Sequence, residues 1–212
     1  KSFVEDILIV NSQSKANLIS KSTSNEDNIY KALCLGVEDY FKKTGQYEAV
    51  IGLSGGIDSS LVASIAVDAL GSENVHGIAM PSIYSSKHSL TDARELAKNL
   101  RIDYRVIPIQ NGVNSIFKTL KPIFEGMPND VTEENIQSRM RGLILMALSN
   151  KFGWMVLSTG NKTELALGYC TLYGDMSGGL SVISDLNKNE VYHISEWLNE
   201  TKGPLIPINS IN

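Results

Sequence analysis

A short apolar run, two adjacent glycines among serines and a second apolar run constrain this chain more than any other feature. Residues 49–51 are Ala, Val and Ile, Gly55 and Gly56 follow, and residues 61–70 are rich in Ala, Val, Leu and Ile. This order predicts a buried strand, a tight loop and a helix. Glycine has no Cβ, so the loop can take left-handed backbone angles and let a ligand approach closely. Together with the free N–H groups of the first helical turn, such a loop forms an anion-binding site.

Short apolar runs alternate with amphipathic segments along the rest of the chain. Further strands are predicted at residues 75–80, 104–109 and 154–157, and further helices at residues 28–43, 90–100, 113–120, 133–150 and 190–198. This alternation predicts an α/β fold, a doubly wound parallel sheet with helices on both faces. Ligands of such sheets bind at the carboxyl ends of the strands, near the switch in strand order. The glycine-serine loop and Thr159 follow two predicted strands, so we expect them to face one site.

The composition of the chain limits the kinds of ligand that it is expected to bind. The formal net charge is −4 and the chain has no basic block, which argues against nucleic acid as the main ligand. The two cysteines, Cys34 and Cys170, lack the spacing of a metal cage. No apolar run is long enough to span a membrane. We therefore expect a cytoplasmic protein whose ligands are small molecules.

Four stretches of the sequence resemble a known family. Residues 54–60, Ser-Gly-Gly-Ile-Asp-Ser-Ser, match the SGGxDS pyrophosphate loop of the N-type ATP pyrophosphatases, and no lysine follows the glycines as in a GxxxxGK[ST] loop. Residues 134–141, Glu-Asn-Ile-Gln-Ser-Arg-Met-Arg, are similar to the N-x-x-A-R-x-R helix of NAD synthetases. Residues 158–164 and 168–175 resemble the strand-end and ligand loops of that family. The resemblance covers residues 28–212 and is to the synthetase half of glutamine-dependent NAD synthetases in particular.

This resemblance implies ATP-dependent amidation of deamido-NAD (nicotinic acid adenine dinucleotide) to NAD. The nicotinate carboxylate attacks the α-phosphate of ATP, which gives an adenylated intermediate and pyrophosphate. Ammonia then attacks the activated acyl group, and NAD and AMP are released. The family chemistry requires no nucleophile or general base from the protein. Most of the rate is therefore expected from positioning and charge stabilisation.

The resemblance also assigns roles residue by residue. ATP is expected to contact the loop and two later residues: Gly52, Leu53, Ser54, Gly55, Gly56, Ile57, Asp58, Ser59, Thr159 and Lys188. Ile78 and Met80 would flank its adenine, with their side chains in the core and the contact made by the backbone. Mg2+ takes oxygen ligands and is expected on Asp58 and Glu164. Deamido-NAD is expected on four side chains: Asn135, Arg139, Glu164 and Asp175.

Other interpretations of these residues stay open at this point. Asp58 also fits a helix N-cap, Thr159 a strand-end cap, and Lys188 a surface lysine. The ammonia-dependent members carry a lysine just before their Tyr-Gly-Asp, where this chain has Leu172, so that contact is not carried over.

The resemblance further suggests how the chain is organised. Residues 1–27 are expected to be the tail of a nitrilase-like glutaminase domain plus a linker, and residues 28–212 a synthetase domain truncated at its carboxyl end. Ammonia would come from glutamine through the domain that is absent here. A homo-oligomer is expected through the helix at residues 133–150. Two alternatives remain: another N-type ATP pyrophosphatase, such as a GMP-synthetase-like amidotransferase, and a non-catalytic nucleotide-binding module.

Overall fold

The computed structural model describes residues 3, 5, 7 and 23–211. Most of the tail and linker predicted at residues 1–27 lies outside the described residues. The described elements are α1 (Asn25–Thr44), β1 (Ala49–Gly52), α2 (Ile57–Leu70), β2 (Val75–Ala79), α3 (Lys87–Leu100), β3 (Asp103–Val106), α4 (Gln110–Phe124), α5 (Val131–Phe152), β4 (Met155–Ser158), α6 (Lys162–Leu167), β5 (Leu180–Ser181), α7 (Lys188–Lys202) and α8 (Ile208–Ile211).

The strands form one parallel sheet in the order β3-β2-β1-β4-β5. The first strand, β1, is central in the sheet. The next two strands extend outward from it to β3, and β4 and β5 are then added on the other side of β1. The strand order therefore switches between β1 and β4, where Ala49 pairs with Met155. The doubly wound parallel sheet is confirmed, and its switch point predicts where a ligand binds.

Helices cover both faces of this sheet because successive side chains of a strand point to opposite sides. Val50 of β1 packs in a core with residues of α4 and α5. Its neighbours Ala49 and Ile51 pack in a second, larger core with residues of α1, α2, α3 and α7. Most of the first part of α2 is buried in that core, from Ile57 to Ala66. Full burial of one such aliphatic side chain contributes about 1.5–3 kcal/mol, so the start of α2 is a firmly anchored platform for the loop before it.

Several boundaries differ from the sequence prediction. The strand β5 was not predicted, because it is only two residues long and follows a glycine-rich segment. The helix predicted at residues 113–120 extends over Gln110–Phe124 and includes Pro122. The short helix α6 ends at Leu167, and Gly168, with a φ of 70°, is its left-handed C-cap.

Candidate active site

The glycine-serine loop joins the carboxyl end of β1 to α2. Gly55 has a φ of +82°, and a Cβ at this position would lie 2.3 Å from the carbonyl oxygen of Ser89. Only glycine fits there without strain. The N-cap residue Gly56 has no side-chain capping bond, so the first N–H groups of α2 are not capped by a side chain. The hydroxyl of Ser54 accepts a hydrogen bond from the Gly56 N–H at 3.2 Å and lies 3.1 Å from the hydroxyl of Ser59. The loop thus presents N–H and O–H donors together.

Asp58 lies in the first turn of α2 and does not cap the helix, so the alternative role as N-cap is wrong. Its Oδ2 is 2.5 Å from Nζ of Lys188, which is 130 residues away in sequence. Its Oδ1 accepts a hydrogen bond from Nδ2 of Asn161 at 2.9 Å. Both oxygens of this carboxylate are therefore engaged. Lys188 is 34% exposed, so it lies at the surface, but its ammonium is held in this ion pair.

Asn161 links Asp58 to Glu164. It is fully buried at the start of α6, where its Oδ1 accepts from the Glu164 N–H and its own N–H donates to Oε2 of Glu164, both at 3.0 Å. This capping box fixes the glutamate beside the aspartate. Burial raises the pKa of the Glu164 carboxyl, the Asn161 N–H opposes this, and the charge of Asp58 adds to the increase. The ammonium of Lys188, already paired with Asp58, acts in the opposite direction on the pKa of Glu164.

Two adjoining cavities open at this end of the sheet. The smaller, of about 220 Å³, is lined by Asp58, Glu164 and Ser59 among others. The larger, of about 410 Å³, is lined by Gly52, Leu53, Ile78, Met80 and residues of α5. Both share four lining residues: Ser54, Ser158, Thr159 and Asp175. The structure thus brings the predicted ATP loop, Thr159 and the predicted carboxylates into one cleft at the strand switch point.

Asn135 and Arg139 line neither of these two cavities. They lie on the side of α5 that contacts the segment after α6. Oδ1 of Asn135 accepts from the Thr171 hydroxyl at 2.8 Å, and Nε of Arg139 donates to the Leu172 carbonyl at 3.2 Å. Asp175 joins this segment to α5, because its Oδ2 accepts from the Ser138 hydroxyl at 3.1 Å. The four residues predicted for deamido-NAD therefore fall into two groups, with Glu164 and Asp175 in the cleft and Asn135 and Arg139 beside it.

Comparison with known proteins decides the family. Residues 29–211 match the family model described as NAD synthase. This chain belongs to the NAD synthase family. It is 56% identical over 185 residues to the glutamine-dependent NAD(+) synthetase of Thermotoga maritima, a match that covers 87% of this chain and 32% of that protein. The chain thus spans about a third of the length of the curated relatives it matches.

Solved structures agree with this family and with the fold. A glutamine-dependent NAD+ synthetase from Acinetobacter baumannii in complex with ADP superposes with a TM-score of 0.89 at 45% identity, covering 91% of this chain and 37% of that chain. An NH3-dependent NAD synthetase from Campylobacter jejuni in complex with nitrate ion gives 0.78 at 33% identity, covering 89% and 77%. The second match thus covers most of the length of a NAD synthetase that is described as NH3-dependent.

Arg141 is a residue of this NAD synthase family chain that the sequence analysis did not assign. It lines the larger cavity, and its Nε donates to the Met80 carbonyl at 3.1 Å. Burial lowers the pKa of its guanidinium, and none of the ion pairs found among residues 23–211 includes it. A sequence signal existed, since Arg141 is the last residue of the stretch that resembles the N-x-x-A-R-x-R helix. In the structure Gln137 and Leu145, four residues to either side on the same helix face, are both buried. An arginine on that face is placed in the interior.

Within the described part of the chain, no helix is long and apolar enough to cross a membrane.

Proposed function

We propose that this chain forms the synthetase site that amidates deamido-NAD to NAD, with cleavage of ATP to AMP and pyrophosphate. The observation that carries the proposal is that Ser54, Asp58 and Glu164 line one cavity of a NAD synthase fold, with Lys188 paired to Asp58 at its edge. The loop resembles a pyrophosphate cradle, and the paired carboxylates suit the cation that accompanies ATP.

ATP is proposed to occupy both cavities. The pyrophosphate portion suits the donors of the loop: the N–H groups at the start of α2 and the hydroxyls of Ser54 and Ser59. Such fixed donors stabilise the negative charge that grows on the leaving pyrophosphate. The adenosine portion suits the larger cavity, whose lining includes Ile78 and Met80. Both side chains are almost fully buried, so contact with the adenine would come mainly from the backbone at these positions. Thr159 lies where the two cavities adjoin and is proposed to contact the nucleotide there.

The residues present fit Mg2+. Asp58 and Glu164 offer hard oxygen donors in the same small cavity, and no described group of three His, Cys, Asp or Glu residues forms a closed cage. Mg2+ commonly binds through one or two carboxylates, substrate phosphates and water, which this pair allows. When bound, Mg2+ neutralises charge on the phosphates. We propose that the Lys188 side chain swings so that its ammonium group leaves Asp58 and contacts the ATP phosphates. This movement would free Oδ2 of Asp58.

Deamido-NAD is proposed to lie against Asp175 and Glu164 and to reach Asn135 and Arg139. The described hydrogen bonds of Arg139 use only Nε, so its terminal nitrogens are available to an anionic group of the dinucleotide. The segment that Asn135 and Arg139 hold contributes the exposed rings of Tyr169 and Tyr173 beside the cleft. Aromatic faces of this kind suit the flat rings of a dinucleotide.

We further propose three properties of the whole protein. A separate domain supplies ammonia from glutamine, the protein assembles into a homo-oligomer through α5, and it is located in the cytoplasm. The division at residue 27 between a tail and the synthetase domain stays a prediction.

The test is release of AMP and NAD from ATP, Mg2+, deamido-NAD and ammonium chloride. Ammonium chloride supplies the nucleophile directly, so the assay does not depend on a glutaminase. We expect AMP and NAD in equal amounts, a loss of more than about 100-fold with Asp58→Asn, and little change with the surface control Asp39→Asn. Amination of xanthosine monophosphate instead would support the GMP-synthetase-like alternative. ATP binding without AMP release would support the non-catalytic module.

A further inference from the structure

The carbonyl of Gly55 in the glycine-serine loop is held from a distant part of the chain. The hydroxyl of Ser210, 155 residues away in sequence, donates to this carbonyl at 2.9 Å. Ser210 lies in α8 and is buried. No motif in the sequence assigns it a role, and it lines neither cavity of the cleft. The bond therefore acts on the loop from outside the site.

The segment that carries Ser210 is itself fixed to two helices. Asn199 of α7 accepts hydrogen bonds from the N–H groups of Leu205 and Ile206 at 3.0 and 2.9 Å, and its amide donates to the Ile206 carbonyl at 2.8 Å. Asn99 of α3 donates to the Leu205 carbonyl at 2.9 Å. Ile211, next to Ser210, is buried in the larger core. The serine hydroxyl is therefore presented to the loop by a rigid support.

The geometry of the peptide bond shows what this contact does. The Gly55–Gly56 peptide is trans, so its C=O and N–H point in opposite directions. On one side of the peptide, the Ser210 hydroxyl donates to the Gly55 carbonyl. On the other side, the Gly56 N–H donates to the hydroxyl of Ser54, a residue that lines both cavities. A peptide between two glycines rotates easily, because neither residue has a Cβ to restrict it. Rotation of this peptide would present a carbonyl oxygen to the phosphates in place of an N–H donor.

We infer that Ser210 is a positioning residue that locks the Gly55–Gly56 peptide with its N–H group toward Ser54, on the side of the cleft. This inference rests on the proposed function only in taking an anion of the pyrophosphate class as the ligand of the loop. Ser210 touches no substrate and acts through the loop backbone. Its removal therefore affects anion binding through the orientation of one amide.

The experiment compares Ser210→Ala and Ser210→Thr with the wild type in the full chain. The probes are inorganic pyrophosphate, titrated by calorimetry, and the Gly56 amide signal in 15N NMR spectra. We expect Ser210→Ala to weaken pyrophosphate binding about 3- to 10-fold, the equivalent of one net hydrogen bond, and to shift and broaden the Gly56 signal. Ser210→Thr keeps a hydroxyl and should restore both readouts. Should Ser210→Ala fail to fold, Ser210→Cys replaces it in the same comparison.

The matched control is Ser195→Ala. Ser195 is fully buried in α7 and donates to the Val191 carbonyl at 2.7 Å, away from the loop. Unchanged pyrophosphate binding and an unchanged Gly56 signal in Ser210→Ala would overturn the inference, and so would an equal loss in Ser195→Ala. A wild type that binds no pyrophosphate would contradict the proposed function, whereas the Gly56 signal would still decide the role of Ser210.

Discussion

Gly55 shows how a single residue type is dictated by both backbone angle and space. Alanine in the left-handed region costs about 1–2 kcal/mol, and at Gly55 the added Cβ would also overlap the Ser89 backbone. We predict that Gly55→Ala lowers ATP affinity at least about tenfold, because the loop must move to relieve the overlap. The control is Gly45→Ala, which has a φ of +67° but open space around a Cβ. It should lose stability in thermal unfolding and keep ATP affinity; equal affinities for the two variants would refute the argument.

Asn161 is the buried link between the two carboxylates of the cleft. We predict that Asn161→Ala lowers the free energy of unfolding by about 1–3 kcal/mol, because it removes a helix cap and leaves buried groups unpaired. It should also weaken Mg2+-dependent ATP binding, since Asp58 and Glu164 lose their common support. Asp130→Ala is the control, because Asp130 caps α5 through a similar capping box. Calorimetric titration should show normal ATP binding for that control. A similar loss of ATP affinity in both variants would contradict the proposed role of Asn161 as the link between Asp58 and Glu164.

The sequence was informative about which residues of the motifs lie together, and uninformative about residues that act through a distant contact. The family resemblance assigned Asp58, Thr159 and Glu164 to one site, and in the structure all three line the same cavity, while their roles stay predictions. Asn161 and Ser210 matter through hydrogen bonds to residues more than 100 positions away, and no local pattern reveals such a bond.

At the level of elements, the amino end of the sheet is held by a polar cluster opposite the cleft. His76 of β2 lies between two carboxylates, with Nε2 2.8 Å from Glu48 and Nδ1 3.1 Å from Asp103 of β3. Its ring stacks on Trp154 at 3.7 Å, and the Trp154 indole N–H donates to Glu48 at 3.0 Å. These contacts join the beginnings of three neighbouring strands to the residue before β4.

This cluster predicts a dependence of stability on pH. Burial disfavours ionised Asp103, but hydrogen bonds from His76 and Arg105 outweigh it and lower the pKa of that carboxyl below its ordinary value of 3.8. The contribution of Asp103 is therefore complete above pH 3.8 and is lost as the pH falls through the lower folded value. Asp103→Asn should cost about 0.5–1 kcal/mol at pH 7, since the side chain is well exposed to solvent.

Urea unfolding of Asp103→Asn and wild type at pH 7 and below pH 3.8 measures this effect. The difference in free energy of unfolding between wild type and Asp103→Asn should shrink in acid. For the surface control Asp39→Asn, this difference from wild type should be small at both pH values. A deficit that stays constant or grows in acid would mean that the charge of Asp103 is not the cause.

The order of elements was more predictable than their ends. Four strands and the main helices were predicted from apolar runs and helical periodicity. Three of these strands are mostly buried, whereas β3 is mostly exposed at the edge of the sheet. β5 has two residues, Leu180 and Ser181, and its place in the sheet comes from pairing with β4. A strand this short carries no periodicity of its own.

For the whole molecule, α5 leaves apolar side chains in solvent on the helix for which assembly was predicted. Leu143 is 63% exposed, and Met146 and Ala147 lie on the same face, three and four residues on. Clustered exposed apolar groups on one helix face are typical of a protein interface. A homo-oligomer formed through α5 would bury them.

Leu143→Glu should therefore convert an oligomer into monomers, because it places a charge in an apolar contact. Light scattering coupled to gel filtration measures the mass directly. Leu35→Glu is the matched control, since Leu35 is a 43% exposed leucine on α1, a helix at the other face of the sheet. A monomeric wild type, or dissociation by both variants, would contradict assembly through α5. If Leu143→Glu alone dissociates the oligomer and amidation from ammonium chloride falls with it, the site depends on the partner subunit. If activity persists in the monomer, one copy of the cleft between β1 and β4 is sufficient for the chemistry.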